Sequence, residues 1–379
     1  MNLKYTIGRK DMTFPAFFCL LISLAFFSCD NKQFVRNTEA RDNPIEMQNA
    51  ETAQAKLSDS VQATLETEPV KVLDASEDAA DDPAIWYNIS APEKSIVFGS
   101  NKKNGIHVYD LSGKELQYVA CGRVNNIDVR RKVKFSDGVA DILAGSCRTD
   151  NSIVLFVIDK DGKINSEPDY KISLGAFNPY GFCLYKGKDN VLYNFVNSKD
   201  GQVSQISVDL ADGQLVSESV RNLKLATQVE GMVVDDATHT LYVGEEQTGI
   251  HVFSAEPNAS TKGYLLNSST DANKKIRYDI EGLALIPPNH LIASSQGNFS
   301  YAIFDLEKKK YINSFFIKDG IVDGAEETDG LEVMKGDFND QFPAGILVVQ
   351  DGFNYNDEKA PEAQNFKYVD LREVMKFIE

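Results

Sequence analysis

The segment Gly105-Ile-His-Val-Tyr109 returns as Gly249-Ile-His-Val-Phe253, 144 residues further on, and 144 is three times 48. A repeat near 48 residues matches one four-stranded blade of a propeller, in which each unit buries its faces only against its neighbours. A second register carries the same period. Asp82, Asp128, Tyr180, Glu230, Glu281 and Asp329 each open a strand-like run, at gaps of 46 to 52 residues. Six starts predict six blades. After each start comes a second run (96–99, 141–144, 192–196, 241–243, 291–293, 345–349), short and rich in β-branched or aromatic residues, as strands are. The turn pairs Ser112-Gly113, Asp161-Gly162 and Asp212-Gly213 close outer hairpins in the first three blades. The fold class read from this pattern is all-β: a six-bladed propeller of four-stranded antiparallel blades around a central channel, over residues 67–379. A closed ring removes exposed sheet edges, so the stretch Pro69–Leu73 is expected to complete the last blade near Lys367–Val369.

The segment before the repeat has a different character. Lys4, Arg9 and Lys10 precede an apolar run from Phe14 to Ser28, too short to span a bilayer comfortably, and Cys29 follows. Phe27-Ser28-Cys29 resembles a bacterial lipobox. Residues 1–28 therefore read as a lipoprotein signal peptide, with Met12 an alternative start, and Cys29 as the lipidated mature N-terminus. Residues 29–66 are polar and read as a tether, in part helical, that holds the domain off the membrane. The expected location is the cell envelope, at an outer membrane or cell surface, with Cys29 the one membrane contact. Cys121, Cys147 and Cys183 remain in the folded body without CxxC spacing, and read as small core residues, with a single disulfide as the alternative.

A formal charge of −17 disfavours nucleic acid and anionic membrane as partners. Strands alternate in direction within a blade, so the start of one strand and the end of the next share a rim of the ring. That geometry gathers Asp82, Asp128, Glu230, Glu246, Asp279, Glu281 and Asp329 at one channel mouth. Carboxylates so crowded require raised pKa values or a bound cation, and hard oxygen ligands favour Ca²⁺ over zinc or copper. His107, His239, His251 and His290 form no HExxH pair, and His107 and His251 read as partly exposed strand residues. Lys102, Arg148 and Lys199 come to the same mouth from the first three blades. A rim part cationic and part metal-binding suits a phosphorylated polyanion.

At these positions the chain resembles the β-propeller phytases. The matching stretches include Asp81-Asp-Pro-Ala-Ile-Trp86, Asn101-Lys-Lys-Asn-Gly105, Asn125-Asn-Ile-Asp-Val-Arg130, Val229-Glu-Gly-Met232, Asp279-Ile-Glu-Gly-Leu283, Ala293-Ser-Ser-Gln-Gly-Asn298, Glu327-Thr-Asp-Gly330 and Val349-Gln-Asp-Gly352, in order over about residues 70 to 379. The resemblance implies several calcium ions, some structural and some bridging the phosphates of myo-inositol hexakisphosphate. It implies that Asp82, Glu230, Glu246, Asp279, Glu281 and Asp329 ligate a catalytic cluster. Lys102, Arg148, Tyr180 and Lys199 would bind phosphate, and Asp323 and Asp351 would hold structural calcium. Phosphate would leave stepwise by attack of a metal-activated water, with Glu230 among the catalytic residues and the chain acting as a monomer. Three departures stand out: Asp200 where the family tends to have Glu, Glu327 where Asp is usual, and Arg148 within Ser-Cys-Arg-Thr. Two other readings use the same rim. A calcium propeller lactonase or phosphotriesterase gains little from three basic residues together, and a surface module binding phosphorylated ligands without turnover tolerates loss of Glu230 or Glu246.

Overall fold

The computed structural model describes residues 44–356 and 358–378. The expected signal peptide, Cys29 and the first part of the tether lie outside these residues. Six sheets follow one another along the chain. Their innermost strands are Ala80–Trp86, Val124–Phe135, Phe182–Lys186, Val229–Asp235, Ile280–Ile286 and Leu331–Lys335, and each touches the next in cyclic order, the sixth returning to the first. The result is a six-bladed β-propeller.

Apolar side chains fill the seams between blades. Phe98 and Phe156 meet between blades 1 and 2, Phe195 and Leu241 between blades 3 and 4, and Ile85 and Phe366 across the closure of blades 6 and 1. Each seam buries the alternate residues of facing strands, so no blade is stable without its neighbours. Cys121, Cys147 and Cys183 are buried free thiols in these seams. His107 departs from the partly exposed placement expected of it. It is fully buried, its Nδ1 2.7 Å from Glu115 Oε2, because Tyr109 and Tyr118 cover it on either side.

The ring closes upstream of the expected position. Blade 6 takes its fourth strand from Leu65–Glu66, which pairs with Tyr368 and Lys367. Pro69 has no N–H to extend that ladder. Val70 and Val72 pack instead into the seam between blades 6 and 1. Residues 59–62 add a fifth strand to blade 5, parallel to Lys310–Lys318, and residues 44–54 form helix α1. The tether expected to run to residue 66 is therefore built into the propeller from residue 44 onward, because its alternating Val61 and Ala63 join the core of blades 5 and 6.

Lys367 pins the closure. Its buried ammonium contacts the carboxylates of Glu66 and Asp323 and lies 3.2 Å from Asp351 Oδ2. Burial, with Asp351 beside it, pushes Asp323 up to about 7. Asp323 and Asp351, expected as structural calcium ligands, thus surround a lysine that already supplies a positive charge.

The glycine that follows four of the repeated polar residues also finds its reason in the ring. A Cβ at Gly181 would lie 2.0 Å from Glu230 O, and one at Gly231 1.8 Å from Glu281 O. At Gly282 and Gly330 it would lie 2.7 Å from Asp329 O and 2.6 Å from Asp81 O. Each of these four glycines receives the backbone of the next blade, so these inner strands approach more closely than any side chain permits. Gly231→Ala is expected to lower unfolding free energy by about 1–3 kcal/mol through overpacking, read by urea denaturation. An unchanged midpoint contradicts this packing.

Candidate active site

Near its start the inner strand of four blades carries one residue more than its partner. Ala80 pairs with Asn101 but Pro83 with Gly99; Val124 pairs with Cys147 but Ile127 with Gly145. The same slip separates Val229 from Met232 and Ile280 from Leu283. These are β-bulges, which turn the unpaired residues out of the ladder. The first residue of each bulge is Asp81, Asn125, Glu230 or Glu281. In blades 3 and 6 the backbone bonds Asn197 N to Gly181 O and Gln350 N to Gly330 O set Tyr180 and Asp329 at the corresponding level. The repeated rim position is therefore Asp81, Asn125, Tyr180, Glu230, Glu281 and Asp329.

Asp82 and Asp128, expected at this position, fall one and three residues beyond it and fasten neighbouring blades. Asp82 Oδ2 accepts from Ile127 N at 3.0 Å, and Asp128 Oδ2 from Leu184 N at 2.8 Å. The Arg130 guanidinium also grips both oxygens of Asp128, at 2.8 and 2.9 Å. With both oxygens so engaged, Asp128 is placed as a structural link and not with the metal-ligand set.

The rim divides into three groups. In the first, Glu230, Glu246 and Glu281 are buried, and one carboxylate oxygen of each lies within 4.8 Å of the others. Burial, with Glu230 and Asp279 beside it, pushes Glu246 up to about 8, although Lys199 acts in the opposite direction. Glu246 Oε1 is buried without a hydrogen-bond partner. Asp279 adjoins the group and accepts from the Gln247 amide. An orphaned oxygen and three convergent hard donors fit a divalent cation of the calcium type.

The second group surrounds Lys102, whose Nζ lies 2.7 Å from Asp78 Oδ2, 3.2 Å from Asp81 Oδ1 and 2.9 Å from Asp329 Oδ2. The Gln296 amide holds the other oxygen of Asp329. Burial raises Asp81 well above the usual carboxylate range, and the Lys102 charge opposes that rise. Lys102, expected in the phosphate-binding set, is ion-paired to these three carboxylates.

The third group is cationic. The Lys199 ammonium lies 4.2 Å from the Tyr180 ring centroid and the Arg148 guanidinium 5.6 Å from it. Together they line a cavity of about 470 Å³. Burial raises the Tyr180 hydroxyl well above its ordinary pKa, with Glu230, Glu281 and Glu246 adding to the rise, so it stays protonated as a donor. Asn125 joins the halves: its Oδ1 accepts from Arg148 at 3.1 Å and its Nδ2 donates to Glu230 at 2.7 Å. Sequence reasoning gave Asn125 and Asp78 no role. Asn125 holds the blade-2 rim position, but the one-residue bulge hides that equivalence in a count of spacings.

The fold, the buried acid group and the adjoining cationic shelf define a propeller hydrolase of anionic esters. The chain belongs to the Phytase family, whose model matches residues 41–379, and is an enzyme of that family. It is 40% identical over 327 residues to the 3-phytase of Bacillus subtilis (strain 168), covering 83% of this chain and 84% of that one. Two solved propellers share the fold at 12% identity. One is the calcium-binding protein regucalcin from Agrobacterium tumefaciens strain C58 (TM-score 0.51, 82% of this chain and 95% of that one). The other is a luciferin-regenerating enzyme (TM-score 0.50, 76% and 90%). Family membership sets aside the non-catalytic module and the lactonase.

Glu246 also makes metal-free stability depend on pH. A carboxyl raised from 4.5 to about 8 binds a proton in the folded chain that the unfolded chain releases. Its contribution is therefore complete below pH 4.5 and lost as pH rises to about 8. In chelator, the wild-type chain is expected to lose more thermal stability between pH 5 and pH 8 than Glu246→Gln does. Equal losses contradict the raised carboxyl.

Proposed function

We propose that this chain is a calcium-dependent phytase that releases phosphate stepwise from myo-inositol hexakisphosphate. Family membership and the 3-phytase relative support the substrate class. The observation that carries the calcium dependence is the buried Glu230, Glu246 and Glu281 group beside the Arg148, Tyr180 and Lys199 shelf.

Arg148 and Lys199 bind phosphate oxygens by charge-assisted hydrogen bonds, and the protonated Tyr180 hydroxyl donates between them. Asn125 holds Arg148 and Glu230 at a fixed separation, so substrate positioning and carboxylate positioning move together. Lys102 restrains Asp78, Asp81 and Asp329 against mutual repulsion and keeps that side of the rim in place. Glu230, Glu246, Glu281 and Asp279 would hold calcium, which when bound neutralises phosphate oxygens and lowers the pKa of a water nucleophile. The shelf grips phosphate and reads no particular ring carbon, so a product that retains phosphates binds again. Stepwise release follows. Lys and Arg charges also draw a polyanion past an otherwise acidic surface.

The sequence Phe27-Ser28-Cys29 supports a lipid anchor at the cell envelope. Among the described residues, no helix is long and apolar enough to cross a membrane.

Phosphate release from phytate is expected to stop in excess chelator and return with calcium. Lys199→Ala and Glu230→Gln are each expected to lower kcat/KM at least about tenfold, which is about 1.4 kcal/mol of transition-state stabilisation. Undiminished turnover in chelator contradicts the proposal.

A further inference from the structure

The histidine of the repeated Gly-Ile-His-Val motif holds the same place in both of its blades. His107 stands opposite Gly99 and His251 opposite Val243, and in blade 6 Lys367 stands opposite Val349 in the same register. Each of the three reaches the last residue of the second strand. His107 Nε2 lies 3.3 Å from Asn101 Nδ2, His251 Nε2 2.8 Å from Glu245 Oε2, and Lys367 Nζ 3.2 Å from Asp351 Oδ2. In blades 2, 3 and 5 the position holds Val154, Gln205 and Ala302. Val and Ala have no polar group, and Gln205 turns away to Ala255 O. In the two histidine blades the next residue after the supported one is a rim residue, Lys102 or Glu246.

Blade 1 shows what the support does. Asn101 Oδ1 accepts from Lys103 N at 2.9 Å and Asn104 N at 3.2 Å, and its Nδ2 donates to Lys71 O at 2.8 Å. The turn that carries Lys102 is thus folded round Asn101. Lys71 N donates to His107 Nε2 at 3.3 Å, so that nitrogen accepts and the ring proton sits on Nδ1, towards Glu115. In blade 4 Glu245 takes the part of Asn101. It is only 2% exposed. Its Oε1 accepts from Thr227 N at 2.7 Å and Thr227 Oγ1 at 2.9 Å, on the segment that leads into Glu230. Its Oε2 accepts from His251, and because a carboxylate only accepts, the ring proton there sits on Nε2. Glu245 thereby ties the approach to Glu230 to the turn that carries Glu246, whose N–H donates to Gln228 O at 3.1 Å.

We infer that His251 is a positioning residue: acting through Glu245, it fixes where Glu230 and Glu246 meet and so sets the affinity of that group for calcium. This rests on the reading in which the group holds calcium. Without the ring, one oxygen of a buried carboxylate loses its donor, and the side chain gains by turning out to water. That turn releases Thr227 and loosens both ligand-bearing segments at once. Orientation of ligands by groups behind them is worth as much to a metal as the ligands' own chemistry.

His251 is partly exposed, so its replacement opens no buried cavity. The test is calorimetric titration of the metal-stripped full chain with calcium for wild type, His251→Leu, His251→Asn and His251→Gln, each with its melting temperature in chelator. Leucine lacks the donor and asparagine is too short to reach Glu245, whereas the glutamine amide replaces Nε2. The leucine and asparagine variants are each expected to bind calcium at the Glu246 site about tenfold more weakly, and the glutamine variant within about twofold of wild type. At saturating calcium all three are expected to release phosphate from phytate with wild-type kcat, because excess metal draws the ligands back together. Either folded short-reach variant binding calcium as tightly as wild type, or more tightly, overturns the positioning role alone. Equal weakening in the glutamine variant overturns the hydrogen bond as its means. A wild-type chain that binds no calcium, or binds it undiminished after Glu246→Gln, overturns the calcium reading and the inference with it.

Discussion

Six inner strands converging on one axis bring their six rim residues close together, and four of those six are carboxylates. Nothing in the ring relieves this by spacing, because Gly181, Gly231, Gly282 and Gly330 let each strand press against the backbone of the next. Buried carboxylates at such separations must be protonated or neutralised by a counter-charge. How each is neutralised divides the rim into parts with different work.

Lysine answers the problem twice. Lys102 serves Asp78, Asp81 and Asp329, and Lys367 serves Glu66, Asp323 and Asp351 where the chain closes on itself. Arg130 does the same for Asp128 and Asp236 between the inner strands. These cations are covalently part of the chain, so each of those clusters already holds one positive charge. Glu246 differs in gathering with two other carboxylates, Glu230 and Glu281, and not round a lysine, and burial raises its pKa to about 8 in spite of Lys199. Here an exchangeable cation would relieve a strain that the chain leaves in place, beside the two basic residues proposed to attract an anion. A protonated Glu246 and a cation-bound Glu246 are alternative resolutions of one electrostatic conflict, which couples proton and metal binding.

The repeat and the face on which the charges gather were legible in sequence, because blade length and strand alternation are periodic. What escaped was aperiodic. A bulge adds one residue without changing composition, so Asp82 and Asp128 looked equivalent to Glu230 and Glu281, although Asp81 and Asn125 are the true counterparts. The closing strand Leu65–Glu66 is two residues long, below any pattern threshold, and only its pairing with Lys367 and Tyr368 marks it. Lys102 and Lys367 looked like a ligand group and an ordinary strand residue. Their roles depend on carboxylates distant in sequence, and sequence spacing carries no record of such partners. A helical part of the tether was expected, but the seat of helix α1 escaped for the same reason, since it is made by Phe299 and Phe353.

The central claim is that the Glu230, Glu246 and Glu281 group holds a divalent cation, while the clusters around Lys102 and Lys367 already hold a lysine cation each. Calorimetric titration of the metal-stripped chain with calcium tests this directly when wild type is compared with Glu281→Gln and with Asp351→Asn. The account predicts that Glu281→Gln loses at least one class of calcium site and that Asp351→Asn keeps the wild-type stoichiometry. Calcium binding unaltered by Glu281→Gln, in a chain that remains folded, would contradict it.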